Sequence, residues 1–433
     1  MNRSSRLTVS ALGLALILGS PASFSAQNLL TTYEQAASSD PDLRAARASL
    51  ESTRQNRPQA RGALFPQISG SANVTHNDTD AGGSFNSHGY SVSLSQSIYS
   101  YKNYATLHQV DAAIDQAVAQ YDSTAQNLIS RVATAYFDVL RAKDDLDFAI
   151  AEKKAISRQL EQATKRYEVG LIAITDVHEA QARFDLAVAT EITAQNAVDS
   201  ARAALRQITG VSPDALSPLG DGLTLSNPEP AQLDHWTGLA VDGNLDVKAL
   251  QAAVEAARKT IEVEKADYLP SVALVGSHSY SDRDGGTNPG NSTDNSIALQ
   301  LTVPIYEGGV RGAQVSQAEY DLVAAEENYE KQRREVVRGT TDAYRGVLAN
   351  VARVKALKQA LVSNESALKA TQAGFNVGTR TIVDVLNAQS NLHSAERDYK
   401  GSRYDYVLSL LQLKQAVGSL SVDDIKSVND WLE

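Results

Sequence analysis

From residue 102 to residue 167 the chain contains neither proline nor glycine. Nothing in that run stops a helix, and apolar residues recur every three or four positions: Leu107, Val110, Ile114, Ala117, Tyr121, Ala125, Leu128, Val132, Ala135 and Val139. That spacing is the seam of a coiled coil. At 1.5 Å rise per residue, a continuous helix here is about 100 Å long, a rod that no compact domain needs. The run stops at Val169-Gly170. A glycine there can take positive φ and let the chain double back into a return helix over 172–209.

The same arrangement recurs at a constant offset of 208 residues. Val169-Gly170 matches Val377-Gly378, Thr175-Asp176-Val177 matches Val383-Asp384-Val385, and Ala180-Gln181 matches Ala388-Gln389. Ala135-Tyr136 and Val139-Leu140 pair likewise with Ala343-Tyr344 and Val347-Leu348. The reading is two tandem units, 27–211 and 231–418, separated by a Pro/Gly-rich connector at 212–230 and followed by a short acidic tail at 419–433. The first unit has a helical stretch at 28–50, in which Asp40-Pro41 signals a helix start with Asp as cap and Pro at the first helical position, then a strand hairpin at 66–99, the long helix at 102–167 and the return helix. The second has a helix at 244–266, a hairpin at 270–306, a long helix at 310–375 and a return helix at 380–417.

Residues 67–76, 90–98 and 297–305 alternate, and 271–280 is a weaker strand. Ile68, Gly70, Ala72 and Val74 fall on one side, with Ser69, Ser71, Asn73 and Thr75 on the other. Tyr90, Val92, Leu94 and Ile98 oppose Ser91, Ser93, Ser95 and Ser97; residues 297–305 repeat the pattern with Ile297, Leu299, Leu301, Val303 and Ile305. Residues 77–88 and 281–295 read as loops by composition.

Residues 1–26 read as a secretory signal: Arg3 and Arg6, an apolar core at 7–18, then small residues with cleavage after Ala26, or alternatively Ala22. The chain is acidic, with formal net charge −11, and loss of the two leader arginines makes it more so. An acidic exported protein is a poor nucleic-acid binder. No cysteine is present, which excludes disulfides, thiolate metal sites and an N-terminal lipidated cysteine. No later run is long and apolar enough for a spanning helix, so any membrane entry is by strands. Four strands with one greasy face leave two unpaired edges, which lipid does not tolerate; closure requires sister copies. Phe65, Tyr90, Tyr99, Tyr101, Tyr104, Tyr268, Tyr280 and Tyr306 cluster at strand ends, as an interfacial aromatic girdle would.

Several stretches carry a resemblance to a known family: Ala133–Leu140 (ATAYFDVL), 157–177 (SRQLEQATKRYEVGLIAITDV), 204–210 (ALRQITG), 304–309 (PIYEGG) and 377–386 (VGTRTIVDVL). Together they span nearly the whole mature chain, and the sequence resembles the TolC family of outer-membrane efflux and secretion ducts of Gram-negative bacteria. The resemblance implies a mixed α/β membrane protein. Three protomers would close one twelve-stranded transmembrane β-barrel, continuous with a long periplasmic α-helical barrel. It implies partners as well: a periplasmic adaptor docking at the tips (Val169, Gly170, Leu171, Val377, Gly378, Thr379) and an inner-membrane RND, MFS or ABC transporter. Drug efflux, type I protein secretion, or both, would be the function.

The resemblance also places Asp384 and Asn387 at the periplasmic constriction. The family pattern has aspartate at both positions, so the ring here is expected to carry formal charge −3 rather than −6, with weaker cation block. Closure is expected to rest on links between Phe375 and Arg380 on one side and Thr175 and Asp176 on the other. The family has tyrosine where Phe375 stands, so one hydroxyl link is missing here. An ion pair between Arg380 and Asp176 is expected to remain.

No catalytic constellation is visible. His76, His88, His108, His178, His235, His278 and His393 show no paired metal spacing, and His76, His88 and His278 read as exposed residues in or near the loops. Gly308-Gly309 lacks a following Gly-Lys-Ser/Thr and is no phosphate loop. No cofactor or metal is called for. A periplasmic adaptor would need only one helical hairpin, a filament would not need hydroxyl-lined strands, and an exported enzyme would need a site.

Overall fold

The computed structural model describes residues 26–433 apart from 81–82, 214 and 287–288; the secretory signal predicted for 1–26 lies outside the described residues but for Ala26. The helical stretch read over 28–50 is broken into α1 (Leu29–Ser39) and α2 (Pro41–Arg54) at the Asp40-Pro41 start signal, and α3 (Asn56–Gly62) follows. Asp40 is extended and its carboxylate accepts a hydrogen bond from the Leu43 N–H, while Pro41 opens α2, because a proline lacks the N–H that a continuing helix would use.

Two antiparallel strands follow, β1 (Gln67–Thr79) and β2 (Gly83–Tyr99), then α4 (Tyr101–Glu168), 68 residues of unbroken helix, and its return partner α5 (Ile174–Thr209). The second half repeats the order. Helices α6 (Leu233–Gly243) and α7 (Leu245–Ala266) lead to β3 (Ser271–Gly285) and β4 (Gly290–Thr302), then α8 (Val310–Asn376) and α9 (Ile382–Ala416).

The four strands form one antiparallel sheet in the order β1-β2-β3-β4, so β1 and β4 are its edges. Register puts Ile68, Leu94, Gly276 and Ile297 in one cross-strand row. Their neighbours Ser69, Ser93, Ser277 and Ser296 share the opposite face. There the hydroxyls pair across strands: Ser69 with Ser93 at 2.7 Å, Ser71 with Ser91 at 2.9 Å, and Ser277 with Ser296 at 2.8 Å.

Three sequence readings need correction. The loops expected at 77–88 and 281–295 are mostly strand, for β1 reaches Thr79, β2 starts at Gly83, β3 reaches Gly285 and β4 starts at Gly290. His76, His88 and His278 are therefore strand residues; His278 Nδ1 lies 2.7 Å from Asn295 Oδ1, and His88 Nε2 lies 3.6 Å from Asp282. The fourth strand ends at Thr302 and does not continue to Ile305, since Pro304 has no N–H for the ladder. The acidic tail contains a helix, α10 (Val422–Asn429), whose Ile425 and Val428 are buried in the main core. The connector stands as read, and its described residues pack on the body: Leu216 bridges to Gln27 and Leu219 to Leu432.

The main core lies along the middle of the long helices, not at either end. Leu128, Val132 and Tyr136 of α4 pack there with Val347 of α8 and with Tyr406 and Val407 of α9. The hydroxyl of fully buried Tyr136 donates to the Ser217 carbonyl at 2.8 Å, pinning the connector, and burial pushes that hydroxyl's pKa far up.

Candidate functional site

Both hairpin tips close the same way. Gly170 takes φ 75° and Gly378 φ 82°. The Leu171 N–H bonds the Arg166 carbonyl, and the Thr379 N–H bonds the Gly374 carbonyl, each at 2.9 Å. These are helix ends sealed by a left-handed glycine, and the tips leave Val169, Leu171 and Val377 about seven-tenths exposed.

Behind the tips, the two hairpins enclose a cavity of about 250 Å³. Arg166, Leu171 and Asp176 line it from the first hairpin, Phe375, Gly378 and Arg380 from the second. Phe375 is buried in a small apolar cluster with Ile156, Ala187, Ile382, Val385 and Leu386. The Arg166 guanidinium carbon sits 4.4 Å from the centre of the Phe375 ring, within cation–π range. Arg380 lays its stem against Gly374, where a Cβ would meet Arg380 Cγ at 2.8 Å. Arg380 and Asp176 line one cavity, yet no ion pair joins them among the described residues of the single chain. Thr175 stands exposed at the mouth of α5.

Asp384 carries a task that the sequence reading did not assign to it. It is the third residue of α9 and forms a capping box with Thr381. One carboxylate oxygen accepts from the Thr381 N–H at 2.9 Å and from its hydroxyl at 3.0 Å. Those hydrogen bonds, the backbone one first, together with nearby Arg380, hold the Asp384 carboxyl below the usual carboxylate range. The T-x-x-D spelling was available in the sequence. Asn387 is exposed and accepts a hydrogen bond from Arg183 Nη2 at 3.3 Å, a second link between hairpins.

Above the tips the two hairpins are tied more strongly. Tyr404 donates to Asp144 at 2.6 Å, Lys400 reaches the same carboxylate at 2.8 Å, and Arg141 meets Asp405 at 2.5 Å. Between these ties and the tip lies a second cavity of about 450 Å³, lined in part by Asp145, Thr190, His393 and Arg397. Asp145 is pushed up from the ordinary aspartate range, mainly by burial.

At the opposite end of the chain, the aromatic residues occupy two levels. Phe65, Tyr99, Tyr101, Tyr104, Tyr268 and Tyr306 gather where strands meet helices and are exposed. Tyr90 and Tyr280 do not lie at strand ends, as expected, but inside β2 and β3, paired in register and stacked at 5.6 Å. Among the described residues no helix is long and apolar enough to cross a membrane, and no group of three His, Cys, Asp or Glu could hold a metal.

The profile of the family described as outer membrane efflux protein matches residues 32–211 and again 236–419. The chain belongs to that family. Outer membrane protein TolC of Vibrio cholerae is 38% identical, with 94% of each chain covered. The alkaline protease secretion protein AprF of Pseudomonas aeruginosa is 29% identical, over 93% of this chain and 87% of the relative. Among solved structures, the Campylobacter jejuni CmeC outer membrane channel superposes with a TM-score of 0.79 at 16% identity, covering 99% of this chain and 98% of that one. This efflux protein is an outer-membrane protein whose relatives are channels, not enzymes. Its tips and its sheet are therefore read as parts of a conduit.

Proposed function

We propose that three copies of this efflux protein close a twelve-stranded transmembrane β-barrel, continuous with a helical barrel in the periplasm, and that the assembly is the outer-membrane exit duct for drug efflux, type I protein secretion, or both. The two halves of the chain are taken as structural repeats, so that six repeats contribute equivalent sixths of each ring. The observation that carries this is the sheet itself: apolar rows on one face, paired serines on the other, and two unpaired edges. Such edges are unsatisfied in lipid unless they meet another chain. β1 and β4 run antiparallel, so β4 of one copy can pair with β1 of the next without a change of direction.

The aromatic levels support the same reading. Tyr90 and Tyr99 are nine residues apart in one strand, about 30 Å along it. A strand tilt of about 40° leaves roughly 23 Å along the membrane normal, close to the apolar band of outer-membrane barrels. Beyond Tyr90 the outward face turns polar at His88 and Asp282.

The tips serve as the periplasmic gate. Asp384, one per protomer, supplies a ring of three carboxylates at the constriction, and Asn387 adds no charge to it. Arg380 and Asp176, with no ion pair among the described residues of one chain, are available to bond across protomers and with Thr175. Opening spreads the tips as an iris, driven by a periplasmic adaptor that binds the exposed Val169-Gly170-Leu171 and Val377-Gly378-Thr379 tips better in the open state. An inner-membrane RND, MFS or ABC transporter supplies the energy. Purified protein that forms heat-modifiable trimers and discrete conductance steps in a planar bilayer supports this reading; a monomer that forms no pores defeats it.

A further inference from the structure

We propose that Arg166 and Phe375 form the clasp that sets how tightly the tip of each protomer stays shut. Arg166 belongs to the last turn of α4 and Phe375 to the last turn of α8, so their contact ties the first hairpin to the second. The ring is buried in one apolar cluster with Ile382, Val385 and Leu386 of the second hairpin and Ile156 and Ala187 of the first. The guanidinium covers the ring from the cavity side, at 4.4 Å from its centre. The Arg166 guanidinium has no hydrogen-bond or ion-pair partner among the described residues, so the ring is the partner that holds it.

The placement of the other ties makes this contact consequential. Asp144 with Tyr404 and Lys400, and Arg141 with Asp405, bind the hairpins together well above the tip. Below them the only described polar link between hairpins is the exposed, 3.3 Å bond from Arg183 to Asn387. The tip can therefore separate while the upper ties hold, and the resistance it meets comes from the apolar cluster and the guanidinium over it. A half-desolvated cation–π contact changes the open-to-closed ratio by about two- to thirty-fold per protomer when lost.

The inference rests on the tip being the gate, and the experiment separates the two. Full-length trimers of Arg166→Leu, Arg166→Lys, Phe375→Leu, Arg166→Leu/Phe375→Leu and Arg380→Ser are compared with the parent by closed-state conductance in planar bilayers, after each is shown to run as a heat-resistant trimer. The expected result is raised conductance for Arg166→Leu, a smaller rise for Arg166→Lys, and a double variant no leakier than Phe375→Leu alone. Phe375→Tyr, added to the set, keeps the ring and brings back a hydroxyl, and is no leakier than the parent. Raised conductance in Arg380→Ser with Arg166→Leu unchanged overturns the clasp and leaves the gate. Unchanged conductance in both overturns the gate reading, and the clasp with it.

Discussion

Ile297→Arg distinguishes a membrane-facing sheet from a merely exposed one. In the isolated chain the Ile297 side chain is 79% exposed, on edge strand β4, in the row with Gly276, Leu94 and Ile68. That row lies midway between the two aromatic levels. If the face met water, replacing an exposed isoleucine by arginine would change stability by no more than about 0.5 kcal/mol. If it meets lipid, arginine near the midplane costs about 2–4 kcal/mol per copy, or roughly 6–12 kcal/mol for three copies in one ring. Its neighbour Ser296 is the matched control: it is one residue away, faces Ser277 at 2.8 Å on the hydroxyl side, and tolerates arginine if that side is a wet lumen. The assay is the yield of heat-resistant trimer in the outer-membrane fraction, with folding into vesicles measured alongside. A large loss for Ile297→Arg and a small one for Ser296→Arg is expected, the latter with altered conductance. Equal yields, or the reverse order, would refute the assignment of faces.

Other expectations follow from the tip and the body. Asp384→Asn removes the ring's charge while keeping an oxygen for the Thr381 N–H, so block by a trivalent cation and cation preference in bilayer recordings fall without loss of trimer. Because the protomer's own contacts hold the Asp384 carboxyl below its ordinary range, it stays ionised as pH falls from 7 to 5, and the block persists over that interval. Tyr136→Phe strands the buried Ser217 carbonyl and is expected to cost about 1–3 kcal/mol in denaturant unfolding. Tyr136 and Tyr404 both have pKa values raised chiefly by burial, so the folded chain keeps their protons more tightly than the unfolded one. The stability they contribute is complete below the free tyrosine pKa of about 10 and is lost as pH rises past it, which alkaline unfolding curves at fixed denaturant measure.

The parts of the fold readable from sequence were those with one strong local cause. The α4 rod declares itself by the absence of any breaker, and the tips by Val-Gly between helical runs. The strands were read short for a physical reason: at 77–88 and 281–295 both faces are polar, so the alternation that marks a half-apolar strand disappears while the ladder continues. The tail helix was missed although Ile425 and Val428 have helical spacing, because its charge dominates a composition reading. At the site, Asp384's capping role was legible in Thr381-x-x-Asp384, and so was the Asp40-Pro41 break. The Arg166–Phe375 contact was not legible. It joins residues from different halves of the chain, and nothing local to either one marks the other as its partner.

The central claim is that the sheet is closed by sister copies into a conducting ring. Native mass measurement of the detergent-solubilised protein, paired with bilayer recording of the same fraction, tests it directly. The account predicts a species of three chains that carries the conductance. A stable, water-soluble single chain that never conducts would contradict it.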